Sequence, residues 1–372
     1  MSGRFVVVGS GISGAAIANL ISNDDENQVT VIDSSNHIAG NCYDYRDENG
    51  IMIHKYGSHI FHTSNKEVWD YLSSFTSFKV YFHRVLAVIE GNEVPIPFNY
   101  NSIRQCFPET LAERIEKKLV DSYEYGSKIP IRDFMDQDDE DLRFLAEYVY
   151  NNVFVNYTSK QWGKNPKELD GAVTARVPVF LSRDNRYFQD RYQGIPSDGY
   201  TKMIEKLLDR PNITVRLNTC FKDVDDIGSY DKIFYTGPID ELMDYDLGQL
   251  PYRSERFVLE THETDCYQPV SVVNYPNNYE FTRIHEYKHY LGDKSDRTVI
   301  AKEYPEEFVI GKNERYYPVP SDENNELYGR YLDEAKSRYP NMCFLGRLGD
   351  YKYYDMDKAV ARALEVYKEV FG

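Results

Sequence analysis

Apolar positions change period along this chain, and the changes mark its elements. Residues 5–8 are a short continuous apolar run and 29–32 one interrupted only by Thr30, the pattern of strands covered on both faces. Between them residues 15–21 continue as an apolar helix. The uncharged stretch 5–22 could pass for a signal peptide or a membrane span. Its three glycines within six positions weaken a helix there, and Asp24, Asp25 and Glu26 give it the wrong flank. Residues 78–98 alternate β-branched and aromatic positions around Glu90-Gly91-Asn92, which predicts a hairpin. Residues 103–160 read as helical, with one segment at 110–123 and another at 138–154. The second carries Leu142, Leu145, Ala146, Val149 and Val153 at helical spacing. Asn165-Pro166-Lys167-Glu168 reads as a capped helix start. A further helix follows Ser197-Asp198-Gly199, over 200–208. Strands are predicted at 214–217, 232–235 and 342–345, short strands with turns across 255–310, and a final helix at 357–370.

Gly9-Ser10-Gly11-Ile12-Ser13-Gly14 links the first strand to the first helix, and Asp33 ends the next strand. This is the phosphate-binding turn of a dinucleotide fold. Gly9 permits the turn, Gly11 lets backbone N–H groups approach a pyrophosphate, and Gly14 lets the helix sit close to the strand. The helix N-terminus supplies unpaired N–H groups and positive dipole. Asp33 is the expected ribose ligand. The loop Ser34–Cys42 adds a second small-residue segment directly after the acid, a pattern more typical of FAD than of NAD folds. The chain is therefore expected to be α/β, with a discontinuous FAD-binding Rossmann-like domain, an inserted helical bundle and an antiparallel β-sheet domain. The expected pieces are 1–80, 195–245 and 317–372 for the nucleotide domain; 100–175 for the helical domain with a mobile loop; and 81–99, 176–194 and 246–316 for the sheet domain.

At 372 residues the chain is long enough for two to three domains, and 43 basic against 60 acidic residues leave a net charge of −17. That surface repels nucleic acid and anionic lipid. An anionic ligand must then be held by a few local arginines. Five scattered cysteines (42, 106, 220, 266 and 343) argue against a disulfide framework or a zinc site and fit a reducing cytoplasm. The 33 tyrosines suggest a cleft lined by rings with polar tips.

Candidate chemistry lies in three places. His59 and His62 sit three apart; they read as metal ligands, as packed core histidines, or as side chains lining a cofactor ring. Residues 153–163 hold Phe154, Tyr157 and Trp162, with Arg176 beyond a stretch of turn-forming residues, the composition of a loop that closes over a ligand. Arg183, Arg186, Tyr187, Arg191 and Arg283 add guanidinium groups that pair with phosphate oxygens and a ring that stacks on a base.

The segments VVVGSGISGAAIAN, HIAGNCYD, YGSHIFHTSN, VPIPFN, NYTSKQW, ARVPV, FTRIHEYKH, YYPVP and GRLGDYKYYDMD run in order from residue 6 to 357. Together they make the chain resemble the bacterial, FAD-dependent UDP-galactopyranose mutase family. The resemblance implies interconversion of UDP-galactopyranose and UDP-galactofuranose, supplying galactofuranose for cell-surface polysaccharide. It implies reduced FAD as the active cofactor, with N5 bonding to the anomeric carbon while UDP leaves and returns. It also implies an external reductant such as NAD(P)H, and a homodimer.

Carried over residue by residue, the resemblance places Gly9, Gly11, Ser13, Gly14 and Asp33 on the adenosine side of FAD. Gly40, Asn41, His59, Arg347, Asp355 and Met356 fall along the flavin side. Arg176, Arg283 and His62 take catalytic roles. Phe154, Tyr157, Trp162, Arg176, Tyr187, Asn274, Arg283, Tyr317 and Tyr353 face the substrate. Asn274 is in register only after a one-residue deletion before Arg283. Two departures from the family pattern bear on substrate detail rather than reaction class: His83 where Asn precedes Arg-Val, and Val153-Phe154 in place of two aromatics. Alternatives are the same reaction on UDP-N-acetylgalactosamine, an amine-oxidase-like or protoporphyrinogen-oxidase-like flavoenzyme, and a non-catalytic binder.

Overall fold

The computed structural model describes residues 3–135, 137–163 and 178–372. Five parallel strands form one sheet in the order Ile213–Arg216, Gln28–Ile32, Arg4–Val8, Lys232–Tyr235 and Met342–Phe344. Three distant stretches of chain thus meet in a single nucleotide-binding layer, as the apolar runs implied. Helix Ile12–Ile21 packs against the final helix Met356–Phe371, and all ten of its residues are buried. That burial explains why the opening segment carries no charge. No helix among the described residues is long and apolar enough to cross a membrane.

A seven-stranded sheet runs Tyr317–Pro318, Tyr252–His262, Thr298–Glu307, Arg283–Glu286, Val272–Asn274, Val85–Ile89, Asn92–Ile96. It is antiparallel except where Val272–Asn274 lies parallel to Val85–Ile89. The predicted hairpin is the pair at its end. Its turn has positive φ at both Glu90 (50°) and Gly91 (83°), which matches the twist of the flanking strands. Residues 78–80 leave the hairpin: Phe78–Val80 joins Phe61–Thr63 and Tyr192–Pro196 in a three-stranded sheet.

Two expected domain edges therefore need correcting. The edge between 194 and 195 cuts the strand Tyr192–Pro196, whose Gly194 pairs with both Phe61 and Val80. The edge at 317 gives Tyr317–Pro318 to the nucleotide layer, although it pairs with Tyr252 and Arg253 of the larger sheet. Both partners are remote in sequence, so no local signal marks the join.

Helices Glu109–Ser122, Glu140–Val149 and Val155–Trp162 form the inserted helical layer. Leu142, Leu145, Ala146 and Val149 face its core as predicted. The turn Tyr150–Phe154 then widens to π-type hydrogen bonding. The extra residue shifts the buried stripe from Val153 to Phe154. The helix start expected at 165–168 lies outside the described residues.

Candidate active site

The glycine turn forms one wall of a cavity of about 600 Å³, lined also by Ser13, Asp33, Gly40 and Asn41. Gly9 takes φ +101°, and a Cβ there would lie 2.1 Å from Thr236 Oγ1. At Gly14 a Cβ would stand 1.9 Å from the Gly9 carbonyl oxygen, so strand and helix meet only through glycine. Gly11 has no such neighbour, the nearest atom being Gly40 Cα at 3.9 Å. Its bare backbone opens the groove instead of filling a contact. Helix Ile12–Ile21 has no side-chain cap at its start, which leaves N–H donors and positive dipole for an anion. Asp33 is held in place: Ser10 N–H and Ser10 hydroxyl donate to Oδ2 at 2.7 and 2.6 Å. The loop after it folds back so that Ala39 N–H donates to Ser10 O. This brings Gly40 and Asn41 beside the glycine turn, and the set fits the pyrophosphate and ribose of a dinucleotide.

A second cavity of about 730 Å³ opens between the two sheets and the helical layer. Tyr157, Tyr187, Asn274, Arg283, Tyr317 and Tyr353 line it, with His62. The two cavities share His59, Arg347, Asp355 and Met356. Those four residues, which the resemblance assigns to the flavin, are where one space passes into the other.

Arg347 is anchored by donating to Tyr354 O (2.6 and 3.1 Å) and Tyr316 O (3.3 Å). Its guanidinium lies over the Tyr317 ring at 5.0 Å, and Tyr317 stacks on Tyr353 at 5.0 Å. His59 Nδ1–H donates to Gly57 O at 2.8 Å. Burial first, then His54, pushes His59 down to about 3, so its ring is neutral near neutral pH. Asn274 sits opposite Arg283 in the sheet register, and its Oδ1 is buried with no partner, an acceptor offered to whatever enters. Tyr187 presents a half-exposed ring, edge-on to Phe188 at 5.0 Å.

Arg283 heads a buried polar network. Its Nε donates to Glu303 Oε2 at 2.6 Å. Glu303 also accepts from Thr282 Oγ1 (2.8 Å) and meets His285 Nε2 (2.9 Å), while Ser58 Oγ lies 2.6 Å from His285 Nδ1. Burial works against the Glu303 carboxylate, but Arg283 and His285 outweigh it and hold Glu303 well below the usual range. Glu255, 4.0 Å from Arg283 Nη2, goes the other way. Burial, then the charge of Glu303, push it up to about 8 against the pull of three arginines.

Several expected residues end up elsewhere. Phe154 does not reach the cavity; the π-turn buries it in the helical core at 1% exposure, and Val153 lines the space in its place. His62 lines the second cavity but is not at the junction. Its Nδ1 lies 2.9 Å from Asp190 Oδ2 and its ring stacks on Phe188 at 3.5 Å. Arg183 and Arg186 pair with Glu116 and Asp184 outside both cavities. Arg176 and the Trp162 side chain lie outside the described residues. Neither His59 nor His62 belongs to a metal-ligand cluster among the described residues. The cluster found there, Cys266, Glu286 and His289, has its carboxylate already occupied by Tyr267 N–H, Gln268 N–H, Thr298 Oγ1 and His289.

Sequence reasoning missed Ser58, Glu255, His285 and Glu303, all in the wall of the second cavity; His83, singled out in the sequence only as a departure from the family pattern, lines it too. One signal was available. Glu303 shares the buried face of its strand with Val299 and Ala301, a carboxylate at an apolar position of a period-two pattern.

The family model for UDP-galactopyranose mutase matches residues 152–353, more than half of the chain. The chain belongs to the UDP-galactopyranose mutase family. A model for NAD(P)-binding Rossmann-like domains matches residues 7–75, the glycine turn and its surroundings. Among relatives, a probable UDP-galactopyranose mutase of Klebsiella pneumoniae is 36% identical, covering 98% of this chain and 94% of its own length. A dTDP-fucopyranose mutase of Escherichia coli is 35% identical, with 97% of each chain covered. The crystal structure of a reduced UDP-galactopyranose mutase superposes with a TM-score of 0.76 at 17% identity, over 100% of this chain and 94% of the other. A putative protoporphyrinogen oxidase from Exiguobacterium sp. 255-15 shares the fold more distantly, with a TM-score of 0.63 at 14% identity. As a member of the UDP-galactopyranose mutase family the protein is an isomerase, built on a dinucleotide-binding Rossmann-like layer.

Proposed function

We propose that the protein interconverts UDP-galactopyranose and UDP-galactofuranose with reduced FAD as its cofactor. The observation that carries this reading is the junction. A dinucleotide groove opens, at His59, Arg347, Asp355 and Met356, into a cavity with its own buried arginine, Arg283. Reduced FAD, when bound, supplies a nucleophilic ring nitrogen for covalent catalysis at the anomeric carbon.

The chain does the rest. The uncapped helix at Gly11 and the Asp33 carboxylate hold the pyrophosphate and ribose of the cofactor. Arg283, fixed by Glu303 through Nε, offers its remaining N–H donors to the substrate diphosphate. The hydroxyls of Tyr157, Tyr317 and Tyr353 add donors, and burial holds Tyr157 and Tyr317 in the neutral phenol form. Tyr187 stacks on the base. Asn274 Oδ1 accepts a sugar hydroxyl. Neutral His59 places an uncharged ring between the two ligands, and the rings around it exclude water. By the family resemblance, Arg176 and Trp162 contribute further contacts to the diphosphate and the sugar. An external reductant such as NAD(P)H and a homodimeric assembly belong to the same proposal.

The E. coli relative gives a second reading specific support: the same ring contraction on dTDP-fucopyranose. One assay decides. Dithionite-reduced protein is incubated separately with UDP-galactofuranose and with dTDP-fucofuranose, and products are resolved by chromatography. Pyranose product from the first, and none from oxidised protein, is the expected outcome. Conversion of the second alone replaces the substrate. Equal activity of oxidised protein overturns the flavin chemistry.

A further inference from the structure

Glu255 has no place in the reading above, yet it stands in the middle of the site. It lies on strand Tyr252–His262 and lines the second cavity, with its side chain only 4% exposed. One guanidinium there faces two carboxylates. Arg283 gives its Nε to Glu303 at 2.6 Å, while its Nη2 stays 4.0 Å from Glu255 Oε1. Glu303 wins that contact because Thr282 and His285 support the same carboxylate. The groups facing Glu255 come from every neighbouring element. Glu303 comes from strand Thr298–Glu307, Arg283 from strand Arg283–Glu286, Arg347 from the turn Gly346–Gly349, and Arg253 from its own strand. Tyr157, Tyr316 and Tyr317 supply phenols.

We propose that Glu255 is a binding residue that works as the neutral acid: nucleotide-sugar binding beside Arg283 requires its proton, and so is coupled to proton retention or uptake at this side chain. The inference rests on the proposed nucleotide-sugar site. An ionised Glu255 would compete with the diphosphate for the Nη donors of Arg283 and would repel it across a few ångströms. A protonated Glu255 removes both conflicts and adds an O–H donor. Burial and the neighbouring Glu303 favour that form before any ligand arrives.

The test uses the flavin-loaded enzyme and UDP-galactose, whose diphosphate diester does not titrate near neutrality. Binding is measured by calorimetry from about pH 6.5 to about pH 9, in two buffers of different ionisation enthalpy. Wild-type affinity should be level at the low end and fall about tenfold per pH unit above the Glu255 titration, with proton uptake approaching one per site. E255Q, whatever its affinity at low pH, should show no alkaline loss attributable to this group and take up no proton. Wild-type binding that neither takes up a proton nor weakens with pH overturns the assignment, and needs no variant. So does an unchanged alkaline loss in folded E255Q. Absence of UDP-galactose binding at every pH fails differently: it removes the nucleotide-sugar site, and this inference with it.

Discussion

Replacing Arg283 with alanine tests the phosphate clamp at its most constrained point. With Nε committed to Glu303, two Nη groups remain for the ligand. Charge-assisted hydrogen bonds contribute about 1.5–3 kcal/mol each. Losing two removes about 3–6 kcal/mol, or about 10²- to 10⁴-fold in kcat/KM. A structural cost comes with it. Glu303, 2% exposed, loses its cation. Breaking a buried pair costs up to about 3–5 kcal/mol. Here the loss should fall short of that, because Thr282 and His285 still serve the carboxylate. Arg283 is not among the residues lining the dinucleotide cavity, so flavin content should hold. The assay is kcat/KM of the reduced enzyme on UDP-galactofuranose, read beside flavin absorbance per chain and melting temperature. Arg283→Lys, which keeps the charge but not the fork, should fall between wild type and Ala. An Ala variant with full flavin and wild-type kcat/KM would refute the clamp.

The glycine turn separates fold from ligand contact. Gly14→Ala should lower the melting temperature of the flavin-free protein, because its Cβ meets the Gly9 carbonyl oxygen. Gly11→Ala should leave that temperature unchanged while weakening FAD binding in a flavin-fluorescence titration; the reverse order would undo the assignment. Tyr187→Ala should raise KM about 5- to 150-fold, the equivalent of about 1–3 kcal/mol of stacking. Tyr187→Phe should stay near wild type, and a kcat effect without a KM effect would argue against base stacking. For pH, His54, His59 and His83 are buried neutral at about 3. An unfolded chain takes up their protons below about pH 6.5 and the folded one does not. Each should therefore cost up to about 1.4 kcal/mol of stability per pH unit as pH falls from about 6.5 towards 3. Flat denaturant midpoints across that range would contradict their neutral burial.

The nucleotide layer was legible because its signals are local. A turn that only glycine can make, an apolar helix buried on all sides and an acid at the next strand end each depend on residues close in sequence. The expected cofactor positions Gly9, Gly11, Ser13, Gly14, Asp33, Gly40 and Asn41 accordingly line one cavity. The junction itself was legible only through resemblance: the sequence leaves His59 as a metal ligand, a core side chain or a neighbour of a cofactor ring, Arg347 lies most of the chain away, and nothing in their spacing says that they meet.

Packing alone decided the rest. One additional residue in the turn Tyr150–Phe154 turned Phe154 inward and Val153 towards the second cavity, a rotation that no periodic count across the segment anticipates. Pairing between distant strands gave Tyr192–Pro196 and Tyr317–Pro318 their sheets. The ionisation of Glu255 and Glu303 is the sharpest case. The two are chemically identical side chains on neighbouring strands, and their states diverge because one is seated against Arg283, Thr282 and His285 and the other is not. Composition sets how many charges a chain carries; only the folded arrangement sets which of them keep their protons.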